Sequence, residues 1–157
     1  MFSLGSKSLK ELEGVHPVLI RVVQKAIEVT TVDFSVHDGL RTLEEQKKLL
    51  ASGATKTLNS MHMKQKDGYG HAVDLVPYIN GKLRWEWDPI WQIALAVDYA
   101  ATFYNVPIVW GAVWDRNLLQ YGGNIKALKD EVERYKVRHA GSDFLDGPHF
   151  QLADNYR

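Results

Sequence analysis

The chain has 157 residues, enough for one domain with a hydrophobic core of its own. Hydrophobic residues make up 45% and charged residues 24%, and 19 basic residues balance 19 acidic ones, so no net field draws the chain to nucleic acid or to an anionic membrane. There is no cysteine, which removes disulfides, thiolate catalysis and Cys-ligated zinc and leaves histidine and carboxylate as the strong metal ligands.

Met1 to Lys10 lack the apolar run of a signal peptide, and no stretch approaches the roughly 18 apolar residues of a membrane span. Ser8-Leu9-Lys10-Glu11 has the form of a capping box, closed by Gly14. Pro17 then suits a first helical position, and Leu19, Val22, Val23, Ala26 and Ile27 follow at helical spacing. Val32 to His37 reads as a strand ending at Asp38-Gly39. Thr42 to Glu45 form a second capping box, opening a helix that stops at Gly53 and leaving Arg41 at a strand-to-helix junction. Gly53 to Gly70 is a long polar connection, of a kind more often functional than idle.

His71 to Tyr78 reads as a strand, Asn80-Gly81 as a hairpin turn and Leu83 to Trp87 as the return strand. Asp88-Pro89 predicts an N-cap and a first helical proline. The long helix that follows, to about Tyr104, carries apolar residues on its stripe and also on its other faces (Trp91, Leu95, Tyr99, Phe103), which makes it the central buried helix. Pro107 to Trp110 is a short strand, Ile125 to Arg138 a solvated helix and Phe150 to Leu152 the last strand. Strands and helices mix without βαβ alternation. The expected class is α+β, a single domain over residues 1–157 with a small antiparallel sheet flanked by helices.

The chemistry concentrates between Ser60 and Leu75 and again at Asp146-Gly147-Pro148-His149. A His and an Asp meeting at a strand form half of a metal site, and a hydrolytic zinc needs three protein ligands and a water. Side chains alternate along a strand, so Asp74 shares a face with Ala72, whereas His71 shares the opposite one with Val73 and Leu75. That argument pairs His62, in the flexible connection, with Asp74 and leaves His71 as the alternative ligand. His149 supplies the third ligand. Asp146, three residues earlier across a Gly-Pro bend, stands where a general base can take a proton from a metal-bound water.

Ser60-x-His62, Gly70-x-Ala72-x-Asp74 and Asp146-x-x-His149 together resemble the zinc peptidase family of D-alanyl-D-alanine carboxypeptidases and phage endolysins, which share a hedgehog/DD-peptidase-like fold. Asp38-Gly39-x-Arg41-Thr42 and Pro77 to Lys82 are similar, more narrowly, to the phage L-alanyl-D-glutamate endopeptidases. The resemblance implies that His62, Asp74 and His149 bind Zn2+, that Asp146 is the catalytic base and that Arg41 steadies an oxyanion or holds a substrate carboxylate. It also implies that Ser60 orients substrate or the metal loop, and that Gly111 to Val113, flanked by Trp110 and Trp114, belong to the cleft wall, with the two tryptophans serving as packing or as contact.

One departure is plain: the family pattern is His-x-x-Gly-x-Ala-x-Asp, and here Met63 to Tyr69 lengthen the gap between His62 and Gly70. The implied substrate is the stem peptide of peptidoglycan, cut between L-Ala and D-Glu by a monomer. It would gather in the host cytoplasm and act in the periplasm once a separate membrane-permeabilising protein opens the way. Two rivals carry the same motifs: D-alanyl-D-alanine carboxypeptidase or dipeptidase specificity, and a non-catalytic zinc domain that binds cell-wall peptide.

Overall fold

The computed structural model describes every residue except Lys56, Ala140, Ser142, Asp143, Asn155 and Arg157. Two helices, α1 (Ser6–Glu11) and α2 (Pro17–Val29), lead into strand β1 (Phe34–Asp38) and helix α3 (Leu43–Ala51). Strands β2 (Ala72–Ile79) and β3 (Lys82–Leu83) follow, then the long helix α4 (Trp87–Tyr104), strand β4 (Ile108–Trp110), helix α5 (Ile125–Arg138) and strand β5 (His149–Leu152). The sheet is antiparallel throughout in the order β1-β2-β5-β4, with β3 paired to the far end of β2. This is the α+β domain that the order of elements predicts.

Alternation divides the sheet into two faces. Phe34, Val36, Val73, Leu75, Phe150 and Leu152 are buried and belong to one apolar cluster with α2 and α4. Asp74, His149 and Gln151 take the other face. Helix α2 is anchored at Pro17, with His16 as its N-cap: the His16 Nδ1 accepts the Val18 N–H at 3.1 Å. Thr42 and Glu45 close the capping box on α3 as expected, a motif whose loss costs about 1 kcal/mol. Asn80 and Gly81 both have positive φ, the two-residue turn that matches the twist of a hairpin.

Five local expectations are corrected. Ser8 caps nothing; helix α1 begins two residues earlier, and the buried Ser8 Oγ accepts the Val36 N–H at 3.0 Å, satisfying a strand donor in the core. The return strand covers only Lys82–Leu83, and α4 starts at Trp87 after Glu86, with no side-chain cap, so Asp88 and Pro89 lie inside its first turn. Tyr99 and Phe103 are exposed, so α4 is central on one face but not all round. Helix α5 is only half solvated: Leu128, Val132 and Tyr135 are buried, and the buried Glu131 is neutralised by Arg138 at 2.7 Å.

Candidate metal centre

Strand β2 sits between β1 and β5, so Asp74 has a cross-strand neighbour on each side: His149 on β5 and Asp38 on β1. The second pairing depends on a bulge. Continuing the register of Phe34 with Pro77 and Val36 with Leu75 would set His37 opposite Asp74; the shift between Val36 and Asp38 brings Asp38 there instead. The bulge therefore delivers a second carboxylate to the level of the first.

His62 arrives from the long connection. Its imidazole is almost fully buried, its carbonyl accepts the Arg41 N–H at 2.8 Å, and its own N–H donates to Ser60 Oγ at 3.1 Å. The His62 Nε2 and the His149 Nδ1 each lie 3.2 Å from Asp74 Oδ1. The ligand atoms of His62, Asp74 and His149 all fall within 4.8 Å of one another, close enough for this cluster to hold a metal ion.

The outer ring nitrogens decide whether the inner ones can coordinate. His62 Nδ1 lies 2.9 Å from the Gly39 carbonyl oxygen, and His149 Nε2 lies 2.8 Å from Gln151 Oε1. Both partners are acceptors, so each imidazole spends its proton outward and turns a bare lone pair toward Asp74. Two lone pairs and a carboxylate oxygen converging in a mostly buried pocket can take a cation between them. That donor set, two imidazoles and one carboxylate with room for a water, fits a hydrolytic zinc. Without a metal, the same atoms can share only protons. In that metal-free, proton-sharing state burial works to raise the Asp74 carboxyl, but hydrogen bonds from His149 and His62, protonated on their inner nitrogens, and the charges they then carry outweigh it and hold the group far below the usual carboxylate range.

The other expected residues line the same cleft, whose volume is about 450 Å³: Arg41, Ser60 and Asp146 stand around the cluster. Burial, reinforced by the Asp74 charge, pushes the Asp146 carboxyl above its ordinary value. Its backbone is fixed through the Asp146 N–H to the Gly111 carbonyl at 2.8 Å and the His149 N–H to the Asp146 carbonyl at 3.1 Å. Gly111 is required by this close approach, because a Cβ there would run into the Asp146 carbonyl and lie 3.0 Å from the His149 Cβ. Trp110 is a wholly buried core residue whose Nε1–H donates to the Gly147 carbonyl at 2.7 Å, pinning the bend between Asp146 and His149. Of the two tryptophans, Trp114 alone lines the cleft, its ring 5.1 Å from that of His149.

His71 lies elsewhere, as the alternation of faces requires. Its Nε2 pairs with Asp67 Oδ2 at 2.7 Å, and His16 Nε2 approaches the same oxygen at 3.8 Å. This cluster cannot mirror the first. The His16 Nδ1 is an acceptor at the helix start, so its Nε2 carries the proton and faces Asp67 as a donor.

Three supporting residues escaped the sequence reading. Asp38 accepts both Nε and Nη2 of Arg41, and Gln46 Oε1 accepts Nη1 at 2.7 Å. Gln46 is fully buried, its amide donating to the Thr57 carbonyl at 2.7 Å. A signal did exist, since Gln46 stands between Leu43 and Leu50 on the stripe of α3, where an apolar residue belongs. Gln151 likewise sits two residues after His149 on one strand face.

The family model for phage L-alanyl-D-glutamate peptidases matches residues 1–153. The chain belongs to this family. Among fellow phage L-alanyl-D-glutamate peptidases, that of Escherichia phage T5 is 31% identical over 115 residues, which is 73% of this chain and 82% of the phage T5 protein. The crystal structure of the Serratia marcescens L-Ala D-Glu endopeptidase ChiX superposes with a TM-score of 0.69 at 34% identity, covering 94% of this chain and 87% of that one. The peptidase-family fold expected from the motifs is thus borne out, over nearly the whole chain.

Proposed function

We propose that this chain is a zinc-dependent peptidoglycan endopeptidase that hydrolyses the L-Ala–D-Glu amide of the stem peptide. The observation that carries the reading is the meeting of His62, Asp74 and His149, with inner nitrogens bare, in one cleft with Asp146 and Arg41. The bond specificity rests on the family and on the names of the phage T5 and Serratia proteins.

Zinc held there would supply a Lewis acid that acidifies a water and polarises the scissile carbonyl. Asp146 takes the proton of the attacking water and returns it to the leaving amine, a task suited to a carboxyl raised above its ordinary value. Arg41, kept rigid by Asp38 and Gln46, presents its guanidinium at the cleft to the developing negative charge or to a substrate carboxylate. Ser60 accepts the His62 N–H and so shapes the metal loop, leaving its own hydroxyl proton for substrate.

The test is metal content and product analysis on one purified sample. Stoichiometric zinc and a new amino-terminal D-Glu in digested peptidoglycan support the reading. Free D-Ala would indicate the carboxypeptidase, and bound zinc with no cleavage a wall-binding domain. The same reading has the protein act as a monomer that waits in the host cytoplasm until a separate membrane-permeabilising protein admits it to the wall. Added to intact host cells, it should leave them turbid, and it should clear cells whose membrane has been permeabilised; clearing of intact cells would overturn that setting.

A further inference from the structure

The β2–β3 hairpin carries an aromatic surface that the proposed hydrolysis does not use. Tyr78, Leu83 and Trp85 are all exposed, Trp85 at 56%, and Tyr78 pairs with Leu83 across the hairpin. Scattered exposed apolar residues are ordinary, but three on one short hairpin form a patch. The patch is continuous with the cleft. His37, the bulged residue beside Asp38, lines the cleft, and the Trp85 indole stands edge-on to its ring at 5.4 Å. From Asp74, one strand across to β1 and one ring beyond His37, the indole is on the order of 10 Å away. Arg84 and Glu86, on either side of Trp85 in the sequence, are ion-paired with each other at 3.0 Å.

The substrate of the proposed reaction has a fixed chemistry on its amino side. The L-Ala nitrogen is acylated by the lactyl ether of N-acetylmuramic acid, so a pyranose ring begins roughly 7 Å from the scissile carbonyl carbon. A peptidase cutting the first peptide bond of the stem must therefore accommodate a sugar beside its metal centre. Pyranoses present an apolar C–H face to aromatic rings and hydroxyls to neighbouring charges. The exposed Trp85 indole offers a partner to the first, and the His37 imidazole beside it a partner to the second.

We propose that Trp85, with Tyr78 and His37, forms a saccharide subsite that holds the muramic acid from which the stem peptide hangs. This rests on the endopeptidase reading above. The subsite makes the enzyme prefer glycan-linked peptide over the free stem.

The experiment compares two substrates, N-acetylmuramyl-tetrapeptide and the same tetrapeptide without sugar, with zinc-loaded wild-type, Trp85→Ala and Trp85→Phe proteins. Wild type should show the higher kcat/KM on the muramyl substrate. Trp85→Ala should lose about tenfold on that substrate and nothing on the free peptide, with Trp85→Phe recovering most of the loss. Equal losses on both substrates would mean that Trp85 merely supports His37 and the cleft wall, and would overturn the subsite. No loss on either would assign the hairpin to another contact, such as a second copy or a lipid surface, and would overturn it equally. If wild type releases no amino-terminal D-Glu from either substrate, the endopeptidase reading fails first and the subsite falls with it.

Discussion

Two clusters in this chain have the same composition, two histidines around one aspartate, and opposite chemistry. In the cleft, Gly39 and Gln151 draw the ring protons of His62 and His149 outward, so bare nitrogens face Asp74. At the base of the lengthened loop, the Val18 N–H occupies His16 Nδ1, so a ring N–H faces Asp67. The first arrangement is built to accept a cation; the second is already satisfied by its own protons and ties residue 67 to the start of α2. Proximity of ligand-type residues does not distinguish them. The hydrogen bond at the far side of each ring does.

That contrast can be broken most directly at the ligands. His62→Ala, His149→Ala or Asp74→Asn should abolish stoichiometric zinc and, with it, cleavage, whereas His16→Ala and His71→Ala should keep one zinc per chain. Metal analysis after dialysis reads both, and loss of zinc from the second pair would erase the distinction. Asp146→Asn should retain the metal and lower kcat by about 10²–10⁴-fold, the range of a missing general base. A near-normal rate would remove Asp146 from that role.

A finer test touches only the outer bonds. Gln151→Leu deletes the acceptor that orients His149, and zinc affinity should fall about 10–100-fold, measured by chelator competition. Unchanged affinity would mean that the tautomer argument fails for this ring.

The smallest effect concerns stability. Asp146 is raised in the folded chain by burial and by Asp74, so between the ordinary carboxyl value near ~3.9 and its folded value the native state binds more protons than the unfolded state. Stability therefore falls as pH rises through that window. Metal-free Asp146→Asn should unfold at a slightly higher temperature than metal-free wild type at neutral pH, and the gap should close in acid. An equal or lower midpoint at neutral pH would contradict the stated burial of charge.

The sequence exposed what is periodic or chemically rare. Thr42-Leu43-Glu44-Glu45 can hardly be anything but a helix start, and the alternation from Ala72 to Leu75 was enough to separate His71 from His62. What it hid depends on contacts made at a distance. Ser8 satisfies a strand donor 28 positions away, which no local capping pattern can reveal. Asp38 faces Asp74 only because of a bulge, and a one-residue shift in register leaves no mark in composition. Glu86, not Asp88, precedes α4, because a helix start without a side-chain bond carries no signature to find.

The side chains of His62, Asp74 and His149, which could hold one ion, span from a loop near the middle of the chain to its last strand. A single ion would thus work as a clasp in a chain with no cysteine to cross-link, fastening segments that only the finished fold brings together. Chelation should do more than silence the enzyme: it should release strand β5 from the His62 loop and open the carboxy-terminal end to proteases ahead of the helical half.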